Sequence, residues 1–521
     1  MDEKCRYCLL SDGLISVRAP DGARRRLTLP EVLAALVQGE IISFGALQPH
    51  QRQAWFCFLV QLAAIALARA GREELPNESR DWKELLLALT DGEEAPWCLV
   101  VDDLSQPAFM QPPVPEGSLE EAGYRADVTT SDALDMLVTA RNHDVKMSRV
   151  ANPEPQHWLY ALVTLQTQEG FMGRGNYGII RMNSGYGNRP MVGMVASLDW
   201  PPRFCRDVSL VLSLQDHLAS QYSYDTSGHT LLWLLPWDGA RSSAIPVHHC
   251  HPLFIEVCRR VRFSHAEGDI RCRIANTKGP RLTAPDERQG VTGDPWTPVQ
   301  TAEGKALTVG RRGFSYDLLR QILLREDFDP PPAMQWTGAE SGGYLLATAL
   351  ARGQGKTEGL HRRVVPVPQN VLAWLSDPSR REELASRAQE LVQTAADVQR
   401  QVLYPALVAL LTAGHEGSVD ADRVRRWTGA FDSGVDEAFF PELWASLDMA
   451  KQEARRRWQQ LLKNLAEQQL QDAIASAPLP SIHRYRAVSA AQSIFHSRLR
   501  EHLHALYPSK EEVDHEPVAG R

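Results

Sequence analysis

The sequence predicts an α+β protein, a large mixed α/β N-terminal domain followed by a C-terminal four-helix bundle, and three observations carry that prediction. Apolar and polar residues alternate on either side of Asp21-Gly22, the pattern of a β-hairpin. An apolar run from Ala54 to Ala68, broken only by Gln61, has the length and composition of a core helix and falls short of the roughly 20 residues a membrane span needs. Beyond Pro368, Leu384, Ala388, Leu391, Ala395, Val398 and Val402 recur at alternating intervals of four and three, the seam of packed helices. The expected division is a mixed domain over 1–368, the bundle over 369–508 and a charged tail over 509–521. A chain of 521 residues that is 43% apolar has ample material for two cores.

Each element has its own signal. After the opening hairpin, Pro30 starts a short helix, because a missing N–H costs nothing in a first turn. A helix from about His50 to Ala70 is expected to stop at Gly71, and a second apolar helix covers Trp82 to Leu89. Prolines 107, 112, 113 and 115 then forbid regular structure and predict an extended segment. A buried helix through Trp158, Leu162 and Leu165 follows Pro153 and Pro155, with Gly170 expected as its C-cap. The segments VSLVLSLQD and TLLWLLPW fit strands or short helices, and Arg259 to Pro298 reads as loops over a sheet. Phe314 to Leu324 is helical, and GGYLLATALARGQGKTEGLHRRVVPVP places a glycine-rich turn between two apolar arms, a hairpin. In the bundle, Asp377 caps a helix that has Pro378 in its first turn. Further helices are expected over Val419 to Ala430, Pro441 to Ile474 and Ile482 to Leu506, the last burying Tyr485, Val488, Phe495, Leu499 and Leu503.

The stretch richest in chemistry is Gln168 to Gly193, QEGFMGRGNYGIIRMNSGYGNRPMVG, in which seven glycines punctuate Arg174, Arg181 and Arg189 against the single acid Glu169. Glycine lets backbone approach a ligand closely, and successive loop N–H groups form a concave anion site. A polar loop carrying Arg141, Asn142, His143, Lys146 and Arg149 lies just upstream. The net charge of −8 excludes a uniformly basic surface, so any nucleic-acid contact must use local patches. Eight scattered cysteines read as reduced thiols in a cytoplasm rather than a disulfide framework.

Several motifs fail on context. Gly173, Gly175 and Gly178 form a G-x-G-x-x-G, but a helix precedes it where a dinucleotide fold needs a strand, and Gly185 and Gly187 prevent a helix from following. GQGKT at Gly353 to Thr357 lacks the first glycine of a phosphate loop, since Leu350 stands there. His143-Asp144 is a dipeptide without further placed ligands, Cys5 and Cys8 have no second pair, and His248, His249, Cys250, His251, Cys258, His265 and Cys272 match no zinc spacing. No nucleophile–base arrangement emerges, and the pattern points to a binding protein whose basic loops touch phosphates and base edges.

Taken together, LQTQEGFMGRGNYGIIRMNSGYGNRP, RNHDVK before it, PAFMQ upstream and ARGQGKTEGLHRR downstream resemble the CasA family, the large subunit of the type I-E CRISPR surveillance complex Cascade. The resemblance spans the chain, from SDGLISVR to the terminal bundle. It implies a non-enzymatic subunit that reads the protospacer-adjacent motif in double-stranded target DNA while a CRISPR RNA reads the rest by pairing. The implied partners are that RNA, the other Cascade subunits and a helicase-nuclease. By position, Gly173, Arg174, Gly175 and Asn176 correspond to the family's glycine loop at the motif. Arg352, Gly353, Gln354, Gly355 and Lys356 correspond to its wedge hairpin, and Arg141, Asn142, His143 and Lys146 to its loop toward the RNA handle. Lys278 is the candidate for the motif-sensing lysine. The zinc cluster of some members has no C-x-x-C counterpart in the middle region, and no metal or cofactor is assigned. The alternative is a nucleotide-dependent enzyme using GRGNYG or GQGKT as a phosphate loop.

Overall fold

The structure, a computed structural model, describes residues 5–507 except 136–149, 151, 183–184, 286–287, 337–341, 354–355 and 416. It divides into two compact units: Met1–Phe314 with Asp327–Val367, and Ser315–Glu326 with Pro368–Arg521. The short helix Tyr316–Leu324, read from sequence within the first domain, thus clusters with the later helices. Its N-terminus explains why: the Tyr316 N–H donates to Asp436 Oδ1 at 2.7 Å, and the Tyr316 ring lies 4.6 Å from that of Phe439.

The first unit is organised around the helix Arg52–Ala70. It is long and apolar enough to cross a membrane, yet every residue from Gln53 to Leu67 is buried inside the fold. Apolar character on all sides places a helix in the middle of a core. Trp55 stacks on Phe58 at 5.5 Å and meets Tyr160 edge-on at 5.1 Å, which packs this helix against Pro155–Gln168. Gly71 ends it in the left-handed conformation at φ 61°, the geometry a Cβ would oppose. The short helix Leu29–Val37 carries Pro30 in its first turn and opens with a capping box between Thr28 and Glu31.

No sheet among the described residues exceeds three strands, so the β-structure is a set of small ribbons around the helices. The opening hairpin pairs Ile15–Arg18 with Arg24–Leu27, and Ser43–Phe44 adds a third strand. Gly343–Gly353 and Lys356–Val367 form the long hairpin, extended on one side by Met191–Val195. The segment Arg259 to Pro298 departs from its loop reading, because Arg260–Ala266 and Asp269–Ala275 pair over seven residues each. Arginines at alternate positions hid this strand; Arg260 and Arg262 are buried, with their guanidinium groups donating to backbone carbonyls of Ala122, Val101 and Asp103.

In the second unit, all six seam residues from Leu384 to Val402 are buried. Asp377 Oδ1 accepts from the Ser379 and Arg380 N–H groups, the expected cap. The first arm runs Pro378–Asp397, then a π-helical turn Val398–Leu403, then Tyr404–Leu411. Three more arms complete a bundle: Ala421–Ala445, Lys451–Ser476 and Ser481–His502. Pro441 does not start a helix but lies inside one, near its C-terminal end, where Phe439, Phe440, Leu443 and Trp444 are buried and compensate the lost backbone bond. Tyr485 is 88% exposed rather than buried, because the last helix packs through Ala487, Ala491, Phe495 and Leu499 at intervals of four. The two alanines let the backbone approach where a tyrosine would hold it off.

His251, 1% exposed in the strand Cys250–Ile255, accepts from the Leu253 N–H at 3.2 Å, and burial together with the nearby Arg69 charge pulls its pKa down to about 4. The native state therefore keeps it neutral while the unfolded chain protonates it near 6.5, so its contribution is complete above that pH and lost as pH falls toward 4. The loss is expected to reach up to about 3 kcal/mol across that window. Urea denaturation from pH 7 to pH 4 should show this slope in the wild type and a flatter one in His251→Asn; equal slopes would exclude His251 as its source.

Candidate nucleic-acid interface

The glycine stretch begins where Pro155–Gln168 ends, though not with Gly170 as its cap. Glu169 takes that place in an extended conformation (φ −78°, ψ 130°), because its carboxylate is claimed from two sides. Arg352 Nη1 donates to Oε1 at 2.6 Å and Arg259 Nη2 to Oε2 at 3.2 Å, all three side chains being buried. Charge-assisted pairs of this kind persist in a low-dielectric interior only when both partners are satisfied. Arg352 also donates to the Asp135 carbonyl. Arg352, expected in the DNA-contacting wedge hairpin, does not display its charge: its guanidinium is turned inward and holds the hairpin to the root of the glycine loop.

Two of the stretch's three arginines are likewise structural. Arg181 donates to Glu256 at 2.8 Å and to the Phe254 carbonyl at 2.9 Å, with its guanidinium 3.9 Å from the Phe254 ring centre. Arg189 is fully desolvated, paired through Nε and Nη2 with both oxygens of Asp294 and donating to Gln61 at 3.2 Å. Burial pushes Asp294 up, but the Arg189 charge outweighs it and leaves the carboxyl below its ordinary range; for Glu256 burial prevails over Arg181 and the shift is upward.

Between these anchors the backbone crosses itself. A Cβ on Gly178 would fall 2.3 Å from the Gly170 carbonyl carbon, and one on Gly170 would fall 2.5 Å from the Gly187 oxygen. The glycine content is thus explained first by chain packing on chain. Gly173 and Gly175 differ: both adopt positive φ (109° and 90°), and they form a tight turn in which the Asn176 N–H donates to the Gly173 carbonyl at 3.0 Å. That turn aims Arg174 at solvent.

The turn joins two other loops. The Thr277 N–H donates to the Gly175 carbonyl at 3.1 Å and the Lys278 N–H to the Gly239 carbonyl at 2.7 Å, while the Tyr177 hydroxyl reaches the Lys278 carbonyl at 3.4 Å. The result is an open cleft of about 950 Å³ that unites Arg174 and Gly175 with Lys278, Tyr177 and Asn276. Arg241 and Ser242 complete it; sequence reasoning missed both, since the only local signal was the turn-forming Asp238-Gly239 before them. Arg174, Arg241 and Lys278 are exposed, none forms an ion pair among the described residues, and no acid lines the cleft. Three unneutralised cations around backbone amides, an amide side chain and a phenol can hold phosphate oxygens and present donors to base edges.

Gly353 and Lys356 face each other at the end of the long hairpin. Gln354 and Gly355 between them lie outside the described residues, as do Arg141, Asn142, His143 and Lys146. Cys250, Cys258 and Cys272 are buried thiols whose pKa values burial pushes up, His248 and His249 pack ring to ring at 4.4 Å, and among the described residues no three His, Cys, Asp or Glu side chains converge as metal ligands.

These geometries rank substitutions. Gly173→Ala meets no atom and should cost about 1 kcal/mol of strain, as should Gly175→Ala, which must also displace Asn276; Gly178→Ala must separate two backbone segments and should cost more than about 3 kcal/mol. Arg352→Ala leaves Glu169 half-paired and should destabilise by roughly 3 kcal/mol or more, a structural loss rather than a binding one. Equilibrium denaturation of the four variants checks the order, and a Gly178→Ala protein as stable as Gly173→Ala would overturn it.

No family model and no curated protein matches the chain. Solved structures do. The chain superposes on CasA from Thermus thermophilus over 95% of its own length and 100% of that chain, with a TM-score of 0.62 at 14% identity. For Cse1 from Acidimicrobium ferrooxidans the coverage is 97% and 100%, with a TM-score of 0.59 at 16% identity. A chain of a CRISPR RNA-guided surveillance complex matches over 94% and 99%, with a TM-score of 0.52 at 12% identity. At such identities the likeness is one of architecture, and what it establishes is that this chain has the CasA (Cse1) fold.

Proposed function

We propose that the chain is a CasA-type large subunit of a Cascade surveillance complex, a non-catalytic protein of the cytoplasm that recognises the protospacer-adjacent motif in duplex DNA. The observation that carries this reading is the cleft in which Lys278 meets Arg174 and Gly175, about a hundred residues earlier in the sequence, on a CasA fold. Phosphate contacts from the exposed cations would fix register, and Asn276 with the Gly173–Asn176 backbone would supply donors and acceptors for groove edges. The partners in this reading are a CRISPR RNA, other Cascade subunits and a helicase-nuclease recruited after the duplex opens. In this reading Gln354 serves as the wedge, and Arg141, Asn142, His143 and Lys146 serve the RNA handle, roles that rest on the sequence resemblance alone.

A chain of net charge −8 lacks the cation density for tight binding by itself, so motif-specific affinity is expected only in the RNA-bearing complex. Gel shifts of the assembled complex over a randomised motif library, with and without this subunit, test the proposal. Enrichment of particular bases should require the subunit and should fall about tenfold or more with Lys278→Ala, equivalent to at least one good contact. Unchanged enrichment without the subunit, or ATP binding by the isolated chain, would favour the nucleotide-dependent alternative.

A further inference from the structure

A second basic cleft, of about 690 Å³, lies on the N-terminal three-stranded sheet, in the same unit but apart from the glycine loop. In this sheet Arg18 stands directly opposite Arg24, and Ser16 opposite Arg26, so Arg18, Arg24 and Arg26 share one face; Ser43 pairs with Arg18 on the other side. All three arginines are exposed. Their treatment differs. Arg26 pairs with Glu154, and Arg25, which also lines the cleft, pairs with Asp21 at 3.1 Å and Glu40 at 3.5 Å. Arg18 and Arg24 have no ion-pair partner among the described residues, although like charges directly opposite on antiparallel strands repel. Two unneutralised arginines at directly opposed strand positions, in a cleft also lined by Ser16 and Ser43, form a positive site that an anion would neutralise.

The floor of the cleft is built rather than incidental. The Gly45 N–H donates to the Ser16 carbonyl at 2.7 Å, and a Cβ at Gly45 would lie 2.9 Å from that of Ser16, so only glycine lets this edge close. Gln156, 5% exposed, accepts from the Ser16 N–H at 3.2 Å and donates at 2.9 Å to Glu154, the one acid of the lining, which pairs with Arg26.

We propose that this face is a second phosphate-backbone site for nucleic acid, binding without regard to sequence. What favours a nucleic acid over an acidic peptide is its placement. Glu154 and Gln156 begin the 14-residue helix Pro155–Gln168, whose far end roots the glycine loop. That helix, about 21 Å long, ties this cleft at its first turn to the root of the glycine loop at its last. A helix of that length corresponds to roughly six base-pair steps, and in this proposal a duplex seated in the motif-reading cleft continues onto this face and lengthens the contact. In that respect it rests on the proposed duplex reading, and its test is made independent by using DNA without any preferred motif.

The experiment is fluorescence anisotropy of a duplex of about 30 base pairs and random sequence against the full chain between roughly 25 and 150 mM salt. Arg18→Ser/Arg24→Ser should weaken binding about tenfold at the lowest salt and reduce the slope of log K against log salt by about 2. The charge-matched control Arg80→Ser/Arg425→Ser, at exposed ion-paired positions, should leave both unchanged. Arg18→Lys/Arg24→Lys should retain most of the affinity, and the serine variant should melt no lower than wild type because it removes a repulsion. An unchanged slope in the serine variant would overturn the proposal. So would a loss equal to that of the control, or Arg18- and Arg24-dependent capture of polyglutamate with duplex binding intact, the result that marks a protein partner.

Discussion

The glycine loop owes its shape to a buried charge network centred on Glu169, Glu256 and Asp294. Four arginines from distant parts of the chain, Arg181, Arg189, Arg259 and Arg352, converge on these acids with almost no exposed surface. Removing ions from water is costly, and only mutual pairing together with hydrogen bonds to carbonyls offsets that cost. Each pair therefore demands its partner in one geometry. A network that tolerates few alternatives fixes the loop, the strand Cys250–Ile255 that precedes Glu256, and the long hairpin in one register.

This explains a division of labour among residues of one type. Arginine carries a planar charge that can be buried when its fork is satisfied or displayed when it is not. In the glycine stretch Arg174, Arg181 and Arg189 have similar sequence surroundings, yet the last two hold the interior together and only Arg174 faces solvent. The glycines divide likewise: Gly170 and Gly178 allow backbone crossings, while Gly173 and Gly175 make the turn that presents Arg174. The rigid part of the loop is what lets the displayed part be small.

Electrostatics in this protein is accordingly local. The formal charge is −8, but the acids near the clefts are either spent on buried arginines or tied to particular partners such as Arg26. Among the cations left without an ion pair, Arg174, Arg241 and Lys278 gather in one cleft and Arg18 and Arg24 in another of the same unit. Such areas act over about a Debye length, roughly 8 Å at physiological salt, so an acidic protein can still contact phosphates at chosen points.

The sequence by itself determined the features that depend on local pattern: the opening hairpin, the short helix begun by Pro30, the buried helix ending at Gly71, the long hairpin, and the bundle seam from Leu384 to Val402. In each, spacing or backbone chemistry acts over a few residues and leaves a periodic trace. The glycine loop was legible as a candidate for the same reason, and Lys278 only through the resemblance to known motifs. Only the tertiary structure decided which cations are available. Arg352 and Arg174 both flank glycines in basic loops, and their sequence surroundings do not distinguish the one buried on Glu169 from the one left in solvent. Arg241 joined the cleft because Gly239 and Lys278 share a backbone hydrogen bond between loops far apart in the chain. Whether a charge is buried or displayed depends on what the fold brings within a few ångströms of it, and that distance is set by packing between segments remote in the chain.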